Sequence, residues 1–151
     1  PERLSELRRL DRAGDPARPL LIDTIGELEE VYALADIVFV GGTLMPHGGQ
    51  NLLEPAAQAK PVVRGRSVAN FVQEARLLAS AEASLEVADG AGLAQALAVL
   101  LADPVRAAAM GERGRLAVEG QRGAAARTLD AIRFSLAPES AEEARLVPES
   151  G

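Results

Sequence analysis

The sequence predicts an α/β fold with a parallel sheet and helices on both of its faces. Two observations carry this. Four short apolar runs, "LLID" (20–23), "IVFV" (37–40), "PVV" (61–63) and "SLEV" (84–87), have the composition of buried strands. Segments of helical period separate them, and strand–helix alternation of this kind builds parallel sheets. A chain of 151 residues has room for about one such domain.

Residues 2–12 ("ERLSELRRLDR") place Leu4, Leu7 and Leu10 among charges, an amphipathic helix pattern that Gly14, Pro16 and Pro19 then end. After the first strand, "GELEEVYALAD" (26–36) gathers Leu28, Val31, Tyr32 and Ala35 on one helical face. The second strand runs into "GGTLMPHGGQNLLEPAA" (41–57), which holds four glycines, two prolines and the chain's only histidine before a short helix through "AAQA". "NFVQEARLLASAE" (70–82) reads as a helix with Asn70 as N-cap. Beyond the fourth strand come three helical segments, 91–103, 104–120 and 124–136, with Pro104 well placed at a helix start. Residues 137–151 are polar and proline-punctuated and are expected to form a frayed, disordered tail after a partial domain over 1–136.

Composition excludes several classes. Apolar content of 48% and charged content of 25% are ordinary for a globular domain. The net charge of −6 argues against a nucleic-acid surface. Without cysteine there are no disulfides or thiolate metal sites, and one histidine does not build a zinc site. No run approaches the roughly 18 apolar residues of a membrane span. The chain opens on Pro1 rather than methionine, so an upstream portion, with any anchor or targeting segment, is expected to be missing.

Ligands of parallel α/β sheets sit at the carboxyl ends of the strands, where the glycine loop falls. Gly41 and Gly42 are explained by turn chemistry. Gly48-Gly49 stand before a helix, where backbone N–H groups and the helix dipole favour an anion. The spacing matches neither G-x-x-x-x-G-K-S/T nor G-x-G-x-x-G. Asn51-x-x-Glu54 has capping-box spacing, but Pro55 suits the first helical position, which leaves the Glu54 carboxylate free for ribose hydroxyls. "DTIGEL" (23–28) repeats the strand–turn–helix arrangement, with Asp23 or Thr24 also able to act as N-cap. Arg64 and Arg66 serve equally as anion ligands or as surface charge, and His47 reads as a solvent-facing loop residue.

Taken together, residues 23–63 resemble the C-terminal, donor-binding half of the 3-deoxy-D-manno-octulosonic acid (Kdo) transferases. That family runs D-T-M-G-E-L, A-D-x-x-F-V-G-G-S-L, G-G-H-N-x-L-E-P, P-V and N-F in this order. The resemblance extends over about residues 1–134 and includes "MGERGRLAVEGQRGAAARTLDAI" near the end. It implies the Rossmann-like C-terminal half of a two-domain GT-B glycosyltransferase, incomplete here. It implies CMP contacts from Ile25, Gly26 and Glu27 and from Asn51, Leu52, Leu53 and Glu54. The implied donor is CMP-Kdo and the acceptor a lipid A precursor bound by the missing N-terminal domain, in lipopolysaccharide assembly at the cytoplasmic face of the inner (plasma) membrane. Membrane association and the catalytic base would both lie in missing segments, so no catalytic residue, metal or cofactor is expected in this chain. Thr43 keeps the hydroxyl of the family's serine, Gln50 replaces a histidine, and Arg66-Ser67 replace Pro-His. The segment from Ala13 to Pro19 is shorter than the family's, and Pro1-Glu2-Arg3 looks like the second half of its P-R-H-P-E-R motif. Two other readings stay open: another GT-B enzyme of UDP-sugars (transferase or epimerase), and a non-catalytic nucleotide-binding module.

Overall fold

The structure is a computed structural model that describes residues 1–136; the expected tail, 137–151, lies outside the described residues. The chain starts with a short strand β1 (Glu2–Arg3) and helix α1 (Leu4–Arg9). β2 (Leu20–Leu21) returns beside β1 in parallel, in register Glu2↔Leu20 and Arg3↔Leu21. There follow α2 (Leu28–Leu34), β3 (Val38–Phe39), α3 (Leu53–Ala57), β4 (Val62–Arg64), α4 (Val72–Ser80) and β5 (Ser84–Glu86). Helices α5 (Gly90–Ala102) and α6 (Pro104–Leu136) complete the order.

The three central strands form a parallel sheet in the order β3-β4-β5, with Val38↔Val62 and Val63↔Leu85 among its register pairs. Side chains alternate across it, as the period of two requires. Val38, Val40 and Val62 face Leu52, Ala56, Ala75 and Leu78 on one side. Val63 and Val87 face Leu100, Ala107 and Met110 on the other. The expected parallel sheet with helices on both faces is therefore present, built almost without aromatics.

Several elements differ from the sequence expectation. The first apolar run does not join the central sheet: β2 pairs with β1, and Leu20 and Leu21 stay 48% and 42% exposed. Arg3 is extended (φ −103°, ψ 133°), so the helix expected from residue 2 begins only at Leu4. Glu2 then holds the returning chain, its N–H donating to Pro19 O (2.9 Å) and its carboxylate accepting from the Asp15 N–H (2.8 Å). Asn70 is not the N-cap of α4; Phe71 occupies that position, without a side-chain cap. The segments 104–120 and 124–136 are one helix, because Gly120 and Gly123 lower helix propensity without forbidding the conformation. Pro104 is its first residue, as expected, and Asp103 Oδ1 accepts from Arg106 N–H at 3.0 Å. Among the described residues no single helix is long and apolar enough to cross a membrane.

α6 links the two faces. Ala107 and Met110 belong to one core and Val118 to the other, so the helix crosses beneath the amino ends of the strands. Gly111 sits at the crossing, where a Cβ would overlap the carbonyl of Ala59 just before β4. One turn on, Gly114 lies against Ala56 and Ala83, each 3.4 Å from where its Cβ would be. Gly111→Ala is therefore expected to destabilise by about 1–3 kcal/mol through overpacking. Gly120→Ala, with nothing within 4 Å, serves as control and should be neutral or stabilise by up to about 1 kcal/mol. Thermal melts of the two variants check this, and equal midpoints would remove the crossing argument.

Candidate nucleotide-binding site

The glycine loop is fixed to the β4–α4 connection by one buried side chain. Thr43, fully buried, donates its hydroxyl to Val40 O (2.6 Å) and accepts from the Gly65 N–H (2.7 Å). Its carbonyl accepts from the Ser67 N–H (2.9 Å). Gly65 must be glycine, because a Cβ there would run into the Thr43 carbonyl. Gly42, Gly48 and Gly49 have φ of +73°, +82° and +78°, where L side chains are strained. A Cβ on Gly48 would lie 2.5 Å from Asn70 Nδ2, so close approach adds a second demand there. The Gly48 N–H, expected to face an anion, donates instead to Ser67 Oγ (3.3 Å), and both Gly48 and Gly49 are buried. The loop glycines thus serve backbone packing first.

The mouth of α3 is built around Asn51. Its Oδ1 accepts from the Leu53 N–H and its Nδ2 donates to Glu54 Oε1, each at 3.0 Å. This is neither the capping box nor a free Glu54: the carboxylate is exposed, and Asn51 orients it. Pro55 is the third residue of the helix, not the first. The first-turn amides have no intrahelical acceptor, so proline costs nothing there. The helix is five residues long, too short for much of a dipole. Leu52 is completely buried in the core, so it has only backbone to offer a ligand.

The second expected segment lies on the loop before α2. Ile25 is fully exposed, Gly26 has φ +93°, and Glu27 occupies the N-cap position of α2. Glu27 accepts from Thr24 Oγ1 (2.7 Å) and pairs with Arg8. Asp23 accepts from the Ser5 N–H (3.0 Å) and hydroxyl (2.7 Å). α2 packs beside α3, and each leads into the amino end of a strand of the central sheet, so both begin toward its carboxyl edge. Gln58 Nε2, just after α3, donates to Glu29 Oε1 (3.3 Å). Burial, and next the Glu54 charge, push the Tyr32 phenol above its ordinary range.

Sequence left Arg64 and Arg66 open. Arg64 is buried and donates from Nη1 to Glu86 Oε2 (2.8 Å) and to Gly65 O (3.2 Å). Arg66 keeps its side chain 74% exposed, with Nε 3.5 Å from Glu86 Oε1. His47 is exposed, as expected. Glu86 is the functional-edge residue that sequence reasoning missed, and Thr43, noted there only for its hydroxyl, proves to be the buried tie between the two loops. The strand register Arg64↔Glu86 is the signal that links that pair, and it exists only once the strands are aligned. The resemblance marks the Thr43 hydroxyl, but its partners, Val40 O and the Gly65 N–H, appear only in the fold.

No family model matches the chain. It is 39% identical over 132 residues to a 3-deoxy-D-manno-octulosonic acid transferase of Bordetella pertussis, covering 85% of this chain and 31% of that one. It is 38% identical over 115 residues to the Haemophilus influenzae protein of the same name, covering 76% and 27%. The chain thus spans about a third of the length of these curated relatives. Among solved structures it is similar to the C-terminal CMP-Kdo binding domain of WaaA from Acinetobacter baumannii, with a TM-score of 0.68 and 28% identity over 78% of this chain and 60% of that one.

The acids beside this edge have a testable pH dependence. The Ser5 hydrogen bonds, and to a lesser degree Arg3, hold the Asp23 carboxyl below the usual range. The Thr24 hydroxyl, then Arg8, do the same for Glu27. A carboxyl whose folded pKa is lowered stabilises the fold above its unfolded pKa, and that contribution disappears as pH falls through the folded value. On acidification the Ser5 amide should lose hydrogen-exchange protection before the α4 amides do. Simultaneous loss at both places would show that these acids do not tether the β1–β2 unit.

Proposed function

The chain is a relative of the Kdo transferases with the fold of a C-terminal domain of that family, and from this we propose that it forms the donor-binding part of such an enzyme. The observation that carries the reading is the match over 85% of the chain, which includes both helix mouths. The donor is CMP-Kdo. The Glu54 carboxylate, oriented by Asn51, accepts hydrogen bonds from the ribose hydroxyls. Leu52 and Leu53 contribute backbone at the same helix start, and Ile25, Gly26 and Glu27 close the nucleotide from the α2 side.

The whole enzyme belongs to the GT-B class and works by inversion. A hydroxyl of a lipid A precursor, deprotonated by a base outside this chain, attacks the anomeric carbon of Kdo. The new glycosidic C–O bond forms as the bond from that carbon to the phosphate oxygen breaks, and the electron pair leaves with CMP. The acceptor and the membrane are met by other parts of the protein, at the cytoplasmic face of the inner membrane.

Two outcomes test this reading. The 151-residue chain alone should transfer no Kdo from CMP-Kdo to a lipid A precursor; turnover above background would place a base within it. Glu54→Gln keeps the shape and the acceptor for Asn51 but removes the charge. It should weaken CMP binding tenfold or more, in line with about 1.5–3 kcal/mol for a charge-assisted hydrogen bond, with the melting midpoint unchanged. Calorimetric titration with CMP, UMP and UDP measures this. Equal CMP affinity of the two forms would end the ribose role, and preference for a uridine nucleotide would move the chain to the UDP-sugar enzymes.

A further inference from the structure

We propose that Arg66, steered by Glu86, is the cation that receives an oxyanion of the donor at the carboxyl edge of β4 and β5. The proposal rests on the nucleotide-binding reading above and adds to it a ligand that the sequence left open between binding and surface charge. An anionic donor needs positive charge, and the two sources that the sequence offered are reduced in the fold. The Gly48 N–H is already spent on Ser67 Oγ (3.3 Å), and α3 has five residues and little dipole. What remains is side-chain charge.

Two arginines share one carboxylate here. The buried Arg64 makes the close contact with Glu86 (2.8 Å), whereas Arg66 lies at 3.5 Å from the other oxygen. Two positive charges against one negative leave about one unit of positive charge at this edge, in a chain whose net charge is −6. The outer member of the trio is the accessible one, since the Arg64 side chain is 7% exposed and that of Arg66 is 74% exposed.

Arg66 is also held at its base. Its neighbours Gly65 and Ser67 both donate backbone N–H groups to Thr43, at 2.7 and 2.9 Å, which ties Arg66 to the glycine loop. Glu86 limits where the guanidinium swings without neutralising it. A guanidinium in that state offers paired donors that match a phosphate or a carboxylate. The donor carries both groups, and either would be served.

Exposed ion pairs contribute little to stability, so Arg66→Gln should fold and melt like the parent chain. Calorimetry on the full chain with cytidine, CMP and CMP-Kdo then reads the role. A roughly tenfold loss for CMP and CMP-Kdo, with cytidine unchanged, assigns Arg66 to the phosphate. Unchanged CMP affinity with a similar loss for CMP-Kdo assigns it to the sugar carboxylate. Either result supports the proposal, and Arg66→Lys should recover part of the loss. Unchanged affinity for all three ligands would overturn it while leaving the Glu54 result standing. Failure of the parent chain to bind CMP at all would instead overturn the nucleotide reading and this proposal together.

Discussion

One buried hydroxyl organises the carboxyl edge of the sheet. Thr43 closes the turn after β3 by donating to Val40 O, and it receives the Gly65 N–H that leaves β4. A buried hydroxyl without partners costs about 1–3 kcal/mol, so this fully satisfied one pins two loops whose own sequences have little to hold them. The glycines follow from it. Gly65 approaches Thr43 too closely for a side chain, and Gly49 fits between Thr43 Cγ2 and Ser67 O, 3.0 and 3.2 Å from where its Cβ would be. The permissive loop is thus a packed one, and its glycines let backbone meet backbone.

The two ends of the sheet are built by opposite means. At the amino ends α6 passes beneath the strands and contributes to both cores, and Gly111 removes the side chain that would separate it from Ala59. That end is closed by apolar packing, with Leu78 and Leu100 almost wholly removed from water. Burial of such side chains stabilises by about 1.5–3 kcal/mol each. The carboxyl ends carry polar loops held by hydrogen bonds and ion pairs. Rigid support at one end leaves the other able to present Asn51, Glu54, Glu27 and Arg66 at fixed backbone positions.

Charge at the presenting edge is arranged in local groups. Glu27 and Asp23 are bound to Thr24, Arg8 and Ser5, and Glu86 is shared by two arginines. Asn51 holds Glu54, which pairs with no cation among the described residues, so its carboxylate faces outward. The edge therefore offers an acceptor in one place and a spare cation in another. That pattern suits a ligand with hydroxyls at one end and an oxyanion at the other.

The sequence by itself determined the α/β class, the strands of the central sheet and the start of α6. Apolar runs bounded by glycine and proline, and Pro104 after Asp103, act locally and are legible without knowing the neighbours. His47 was legible for the same reason, since a loop of glycine and proline leaves it in solvent. Only the tertiary structure decided the rest. β2 turned to β1 because Glu2 captures Pro19 O and the Asp15 N–H, contacts across 17 and 13 residues that no local pattern encodes. The Gly48 N–H was taken by Ser67, and Arg64 found Glu86 through strand register. Local periodicity reports which side chains seek burial; which donor meets which acceptor depends on how distant loops are brought together.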